Sequence, residues 1–219
     1  MKIGIIHATR KSMEPLEEEI SQQYPGAEVV SLLHENLLFK VNKTGTITKK
    51  DLSRFLNLLH ILEEAEVDGI LIGCSVYCPY AAIFEPFIDV PLVAVDQPML
   101  VEAIETSHKI GIIATTEKAA PTAKKQLLEL ANKRDKEIEI ELSIIPKAIE
   151  ALNQGDVKTH NDIILKSAKE LEADGVETIV LAQVTMAAAE QDLLEAGITV
   201  LVSPNRGVSA LLDEIKSQT

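Results

Sequence analysis

The sequence predicts an α/β protein of two pseudo-symmetric lobes, each a four-stranded, mostly parallel sheet with helices on both faces. The first observation is an internal repeat: residues 2–9 (KIGIIHAT) return as residues 109–116 (KIGIIATT), 107 positions later. The second is that residues 67–74 (VDGILIGC) return as residues 176–183 (VETIVLAQ), 109 positions later. Two duplicated segments at nearly one offset indicate two similar lobes, which we expect to face each other across a cleft.

The strands are predicted from short apolar runs rich in Ile and Val that alternate with longer segments of helical period, a pattern typical of parallel strands joined by helices. Runs such as 70–73 (ILIG) and 179–182 (IVLA) are apolar throughout, so helices should cover both faces of each sheet. Eight strands follow, four in each lobe: 2–7, 27–33, 68–73, 91–95, 109–114, 138–145, 177–182 and 198–202.

Helices are predicted where apolar residues recur at three- and four-residue spacing. These segments are 13–23, 49–66, 117–133, 159–173 and 205–217, and a further helix is expected to follow Gln97 and open the second lobe. A proline after a strand end puts the boundary between the lobes near 96–98 (DQP). We therefore assign 1–97 to the first lobe and 98–204 to the second, and expect the C-terminal segment 205–219 to pack back on the first lobe. The polar segment 42–48 (NKTGTIT) is predicted to be a flap.

Composition and charge exclude several functions. The formal net charge of -13 disfavours nucleic acid as a partner, because phosphates would be repelled. The first apolar run is far shorter than the roughly 20 residues that span a membrane. The two cysteines, Cys74 and Cys78, are too close for a disulfide framework, and reduced thiols fit a cytoplasmic protein. The chain has neither a Rossmann glycine series nor metal-ligand spacing, so we expect a site without cofactor or metal.

The candidate site residues are those directly after each apolar run, because ligands of parallel α/β sheets bind at the carboxyl ends of the strands. Cys74 is the strongest of them. It follows Gly73 at a strand end and precedes a segment expected to turn helical after Pro79, where the helix dipole would stabilise a thiolate. A thiolate can abstract a proton, attack carbon or, as the thiol, protonate a carbanion. The alternative is a buried cysteine that only fills the core.

The repeat and three strand ends, 73–75 (GCS), 114–116 (ATT) and 183–185 (QVT), resemble the aspartate/glutamate racemase superfamily over nearly the whole chain. That superfamily includes racemases of acidic amino acids and of hydantoins, maleate isomerases and arylmalonate decarboxylases. Typical racemases present a Gly-Cys-Asn-Thr motif in the first lobe and a Gly-Cys-Thr-His motif in the second, with the two thiols acting as opposed acid and base. Cys74 matches the first cysteine, and Gln183 stands at the second.

Gln183 changes the chemistry that the resemblance implies, because an amide has no titratable proton. It cannot replace a thiolate, but it can hydrogen-bond a carboxylate or a developing enolate. A single thiol suffices for one-faced chemistry: protonating a decarboxylation carbanion, adding to an unsaturated acid, or exchanging an α-proton. The alternative is that another group acts as the second base, for which His7 and His34 are the candidates by residue type and position.

The substrate contacts are predicted from the same strand ends. Where glutamate racemases carry an Asp-Ser pair after the first strand, this chain has His7 and Thr9. The threonine hydroxyls suit carboxylate binding, although they also suit helix N-capping. We therefore predict Cys74 and Gln183 as the catalytic residues and assign substrate binding to six others: His7, Thr9, Ser75, Thr115, Thr116 and Thr185.

The leading interpretation is a cofactor-independent isomerase of the Asp/Glu-type amino-acid racemase class, acting by Cys-mediated proton transfer on a small amino acid or carboxylic acid. One alternative is a one-cysteine decarboxylase or a maleate-type cis-trans isomerase. Another is a non-catalytic carboxylate-binding protein that kept the cleft and lost the second base. Related racemases are often dimers, so the resemblance also makes a homodimer an expectation.

Overall fold

The computed structural model describes residues 1–218, except the side chain of Asn42, and divides into two compact units. One unit comprises Met1–Val95 and the chain from Pro204 onward, and the other comprises Asp96–Ser203. Thr219, the last residue of the predicted C-terminal segment, lies outside the described residues.

The first unit is built on a four-stranded parallel sheet. Its strands are β1 (Lys2–His7), β2 (Glu28–Leu33), β3 (Gly69–Ile72) and β4 (Leu92–Ala94). They lie in the order β2-β1-β3-β4, and every pair is parallel. The helices between them are α1 (Met13–Gln23), α2 (Asn36–Thr44), α3 (Lys49–Glu64) and α4 (Ala81–Phe84).

The second unit repeats this topology. Helix α5 (Gln97–Thr106) precedes strands β5 (Lys109–Ala114), β6 (Glu139–Ile144), β7 (Thr178–Leu181) and β8 (Val200–Leu201). The sheet order is β6-β5-β7-β8, again parallel throughout. The remaining helices of this unit are α6 (Ala119–Lys133), α7 (Pro146–Asn153), α8 (Val157–Ala173) and α9 (Glu190–Glu195). Helix α10 (Ser203–Ser217) follows β8. The predicted fold class is thereby confirmed.

The strand β7 shows why the apolar runs are continuous. Side chains alternate between the two faces of a strand. Val180 accordingly belongs to a buried cluster that includes residues of α5 and α6, whereas Ile179 and Leu181 belong to a second cluster that includes residues of α8. Because helices cover both faces of this sheet, each position of β7 is buried and apolar side chains are favoured along it.

Helix α10 packs within the first unit, although it follows the last strand of the second. A Cβ atom added to Gly69 would lie 2.8 Å from Cδ1 of Ile215, and one added to Gly207 would lie 2.7 Å from the carbonyl oxygen of Val95. The Gln23 side chain also donates a hydrogen bond to the carbonyl of Asn205 at 2.9 Å. Two glycines therefore allow α10 to approach β3 and the end of β4 closely.

Three helices occur where none was predicted: α2, α7 and α9. The predicted flap 42–48 is partly wrong, because residues 42–44 form the last turn of α2. Leu37 and Val41 are buried four residues apart, and this spacing gives α2 an apolar face. Gly45 then ends the helix in the left-handed conformation, with φ at 75°.

The close approach of α10 can be tested with Gly207→Ala. Overpacking typically costs about 1–3 kcal/mol, and better helix propensity returns at most about 1 kcal/mol. Because the atoms in the way include backbone of Val95, we expect a net loss of about 1–2 kcal/mol in the free energy of unfolding. Urea denaturation measures it, with Ser209→Ala, an exposed site on the same helix, as the control. Equal stability of the two variants would contradict the packing.

Candidate functional site

The carboxyl ends of β1 and β3 lie side by side in the first unit. Ile6 and Ile72 are register partners, and the amide of Gly73 donates to the carbonyl of Ile6 at 3.0 Å. A Cβ atom at Gly73 would lie 2.9 Å from Cδ1 of Leu16 and 3.1 Å from the Ile6 oxygen. Glycine is therefore needed directly before Cys74, and the sequence places the thiol at the strand end beside His7.

The chain turns at Cys74. Its carbonyl accepts hydrogen bonds from the amides of Tyr77 at 2.8 Å and Cys78 at 3.1 Å. Both cysteines are buried and no disulfide joins them. The Cys78 thiol donates to the carbonyl of Ile72 at 3.5 Å, which directs it toward the strand, while Ser75 is half-buried. The following helix α4 has only four residues, so its dipole contributes less to a thiolate than the sequence suggests.

His7 is fully buried at the end of β1. Its Nδ1 lies 3.1 Å from the hydroxyl of Ser12 and its Nε2 lies 3.4 Å from that of Ser31, which donates to Glu17 at 2.6 Å. Burial lowers the pKa of His7 to about 4, and the Glu17 carboxylate opposes this in part. In the described conformation the imidazole is therefore neutral near pH 7. It contacts Ser12, directly before α1, and Ser31 of β2, and it has no exposed surface for a ligand.

The other candidates in this unit lie around His7. Thr9 is half-buried, and its carbonyl accepts from the Ser12 hydroxyl at 2.9 Å. The amide of His34 donates to the carbonyl of His7 at 2.9 Å, so the two histidines are neighbours along the sheet edge. Arg10 is exposed and pairs with Glu35 at 3.5 Å.

The second unit brings together Thr115 and Gln183, which follow β5 and β7. The backbone amide and the hydroxyl of Thr115 both donate to Oε1 of Gln183, at 2.7 and 2.8 Å. A backbone amide can only donate, so the atom facing it must be the amide oxygen of Gln183. Thr115 is buried and holds this oxygen from two sides. The oxygen of this side chain is therefore occupied by two donors, and its NH₂ group is its remaining hydrogen-bonding group.

The remaining two threonines are not equivalent to Thr115. Thr116 is exposed, and its hydroxyl accepts from the amide of Ala119 at 3.3 Å, the capping role that the sequence also allowed. Thr185 is half-buried in the 3-10 turn Val184–Ala189 that begins beside Gln183.

A buried carboxylate in the first unit was not predicted from the sequence. Asp51 is 1% exposed at the start of α3, where Thr48 and Asp51 form a reciprocal capping box. Lys40 and Arg54 both approach its Oδ1, the latter at 3.7 Å. Hydrogen bonds from Lys40 and then Thr48 hold the pKa of Asp51 well below its usual range. The capping-box spacing marks the helix start in the sequence, but it does not reveal the partner Lys40.

Tyr77 lies in the turn that follows β3, where its amide donates to the carbonyl of Cys74. Its ring is 1% exposed and stacks on Phe55, with centroids 4.4 Å apart and planes 11° apart. Burial, followed by the charges of Asp51 and Cys74, raises the pKa of Tyr77 to about 12. The phenol is therefore a hydrogen-bond donor at every pH near neutrality.

Neither a metal-binding cluster nor a membrane-spanning helix occurs among residues 1–218. No group of three or more His, Cys, Asp or Glu side chains in that range could hold a metal ion. No helix in the same range is long and apolar enough to cross a membrane.

Two parallel sheets of the same topology, each with polar side chains at its strand ends, define a doubled α/β protein. The sequence model for Asp/Glu/hydantoin racemases matches residues 3–211. The chain therefore belongs to the Asp/Glu/hydantoin racemase family.

Solved structures of the same fold include three racemase-type proteins. An aspartate racemase homologue from Pyrococcus horikoshii is 18% identical, with 98% of this chain and 99% of that one covered and a TM-score of 0.74. The allantoin racemase of Klebsiella pneumoniae is 16% identical, with 100% and 89% covered and a TM-score of 0.75. The glutamate racemase of Francisella tularensis in complex with D-glutamate is 15% identical, with 99% and 81% covered and a TM-score of 0.73. A search of curated sequences finds no match.

The burial of His7 makes stability depend on pH. Its pKa is depressed from 6.5 to about 4 on folding, so the unfolded chain binds more protons between these values. The stabilisation is complete above pH 6.5 and is lost as the pH falls toward 4. We expect His7→Gln to remove about 2 kcal/mol of the stability difference between pH 7.5 and pH 5, measured by urea unfolding. His108→Gln, at an exposed position, is the control, and identical pH profiles for His7→Gln and the parent would contradict the assignment.

Proposed function

We propose that this protein is a cofactor-independent isomerase of the amino-acid racemase type, which transfers a proton at the α-carbon of a small amino acid or carboxylic acid through Cys74. The observation that carries the proposal is the position of Cys74, at the carboxyl end of β3 and directly after the closely packed Gly73. Parallel α/β proteins bind their ligands at such strand ends. Family membership supports racemase-type chemistry over other uses of a thiol.

The Cys74 thiolate is the base of the proposed reaction. It removes the α-proton, and the electron pair of the C–H bond is delocalised onto the adjacent carboxylate as an enolate. Gln183 acts in the same reaction as a donor to the oxygen on which negative charge develops, because Thr115 holds its own oxygen. The amide has no proton to exchange at accessible pH, so the thiol that takes the proton also returns it unless another base is present.

The substrate class is proposed from the family and its relatives. Proteins of the same fold include racemases named for aspartate, allantoin and glutamate. All three compounds carry an acidic C–H next to a carbonyl group, which matches a thiolate base. We place the reaction in the cytoplasm, where reduced thiols persist, and propose a homodimer.

A second candidate function is favoured by the amide at position 183. A decarboxylase that protonates a carbanion on one face, or a maleate-type cis-trans isomerase that adds a thiolate to a double bond, needs one thiol rather than two. Both candidates use Cys74 and differ in substrate, so the same variants test them. A carboxylate-binding protein without turnover is the remaining outcome.

Loss of the α-proton signal in D₂O tests the base directly. Proton NMR of L- and D-aspartate, L- and D-glutamate and a hydantoin is followed with the parent, Cys74→Ala and Cys78→Ala. We expect exchange to fall by at least about 10²-fold in Cys74→Ala, the size typical of a general base, and to persist in Cys78→Ala. Exchange that survives Cys74→Ala would refute the role of this thiol. If no compound exchanges even with the parent, malonates, maleate and ligand binding are tested next.

The role of Gln183 predicts a gain of function. In Gln183→Cys a second thiol can deliver a proton, so we expect the ratio of inversion to α-proton exchange, measured by chiral chromatography alongside NMR, to rise above that of the parent. Gln183→Ser removes the amide without adding a group that titrates near neutral pH and should leave the ratio unchanged. Equal ratios in the Cys and Ser variants would show that position 183 does not act on the proton that Cys74 removes.

A further inference from the structure

The contact between Thr115 and Gln183 extends the pairing of β5 and β7 beyond the ends of these strands. The carbonyl of Ile113 accepts from the amide of Ala182, directly after β7, at 3.0 Å. Two residues further along the chain, the amide of Thr115 donates to Oε1 of Gln183 at 2.7 Å. A buried backbone N–H group needs a partner, and here a side chain supplies it. Turning the Gln183 amide away would therefore leave this donor unpaired.

The two copies of the internal repeat differ at both of these positions. Thr115 corresponds to Ala8 at the offset of 107, and Gln183 corresponds to Cys74 at the offset of 109. An alanine side chain has no hydrogen-bonding group, so the first copy has no side-chain hydroxyl at this point. The hydroxyl and the amide thus occur together in the second copy, as expected if one serves the other.

Burial separates the roles of the two side chains. Thr115 is 1% exposed, whereas Gln183 is half-buried. The Thr115 hydroxyl donates its proton to Oε1 of Gln183 at 2.8 Å, so in the described conformation it is enclosed and acts through Gln183. Two hydrogen bonds to the oxygen of an amide also polarise the group and make its N–H bonds better donors. The half of the amide that Thr115 leaves unused is therefore a strengthened donor.

We propose that Thr115 is a positioning residue that fixes the orientation of the Gln183 amide, so that this strand end selects a carbonyl or carboxylate oxygen of the ligand. An ammonium or ring N–H group in the same place would face another donor and is disfavoured, because two donors do not pair. Without Thr115 the amide could turn over and present its oxygen instead. This assignment deepens the proposed function and rests on it for the statement that substrate binds at this strand end.

The fixed orientation is tested without any ligand. NMR scalar coupling across the hydrogen bond, between the backbone nitrogen of Thr115 and the side-chain carbonyl carbon of Gln183, reports the contact directly. We expect this coupling in the parent. The longer bond from Ala182 to Ile113 gives the internal standard in the same spectrum. A spectrum that shows the standard without the coupling of Thr115 to Gln183 would overturn the proposal.

Variants of Thr115 test its positioning role. The probes are maleate and malonate, and their binding is followed by the backbone amide signal of residue 115, which every variant retains. Thr115→Val removes the hydroxyl, so one of the two bonds that fix the amide is lost, and we expect binding to weaken about three- to tenfold. Thr115→Ser restores the hydroxyl and should restore binding. A serine variant that binds as weakly as the valine variant would contradict the role of the hydroxyl.

The matched control is Thr122→Val on α6. It also removes a threonine hydroxyl, which donates to the carbonyl of Lys118 at 2.8 Å. We expect this variant to bind maleate and malonate as the parent does. Equal losses in Thr122→Val and Thr115→Val would show a general effect on the fold and refute a positioning role for Thr115.

Gln183→Glu tests the selection of oxygen. One carboxylate oxygen can still accept from Thr115, but the other is an acceptor where the parent has a donor. We expect the preference for maleate over 1,4-diaminobutane, as the ratio of their dissociation constants, to fall at least about tenfold. An unchanged preference, or a parent whose residue-115 amide responds to neither dicarboxylate, would refute the selection. Absence of Cys74-dependent α-proton exchange, with dicarboxylate binding intact, would refute the proposed function alone.

Discussion

Parallel pairing of a fully buried central strand with its neighbour is the constraint on which the placement of the strand-end residues depends in each unit. In the first unit the register of β1 and β3 brings His7 and Cys74 to one sheet edge. In the second, the register of β5 and β7 brings Thr115 within hydrogen-bond distance of Gln183. Burial on both faces specifies these registers, because a slip by one residue would exchange the side chains of the two faces.

The two strand ends have the same architecture and different chemistry. In the first unit a thiol follows Gly73, and the same turn carries Tyr77, whose ring stacks on Phe55. In the second unit the matching position carries an amide whose oxygen Thr115 occupies, which leaves a donor and no base. The two cations that approach Asp51 offset the cost of burying that carboxylate. Duplication of a fold thus does not require duplication of its acid-base groups.

Much of this protein was predictable from local pattern. The repeat and the apolar runs predicted eight strands, all of which are present within a residue or two of their predicted ends, with the longest difference at β8. The strand-end rule identified Cys74 and Gln183, although their catalytic roles stay predictions. Helix α2 was missed because its short apolar face lies next to a polar, glycine-containing segment. Tyr77 and Asp51 were missed because their sequence context is that of ordinary core and capping residues.

By itself the sequence determined the doubled α/β fold, the parallel strands and the residues that follow them, because burial periodicity and strand-end position are local properties of the chain. Only the tertiary structure decided that His7 is buried beside two serine hydroxyls and that Thr115 orients the Gln183 amide. It also decided that Lys40 pairs with Asp51 and that Phe55 stacks on Tyr77. These relations join residues from different elements, up to 68 positions apart in the case of Thr115 and Gln183. Spacing along a chain does not encode such contacts, since side-chain packing and hydrogen-bond geometry set them only after the elements assemble.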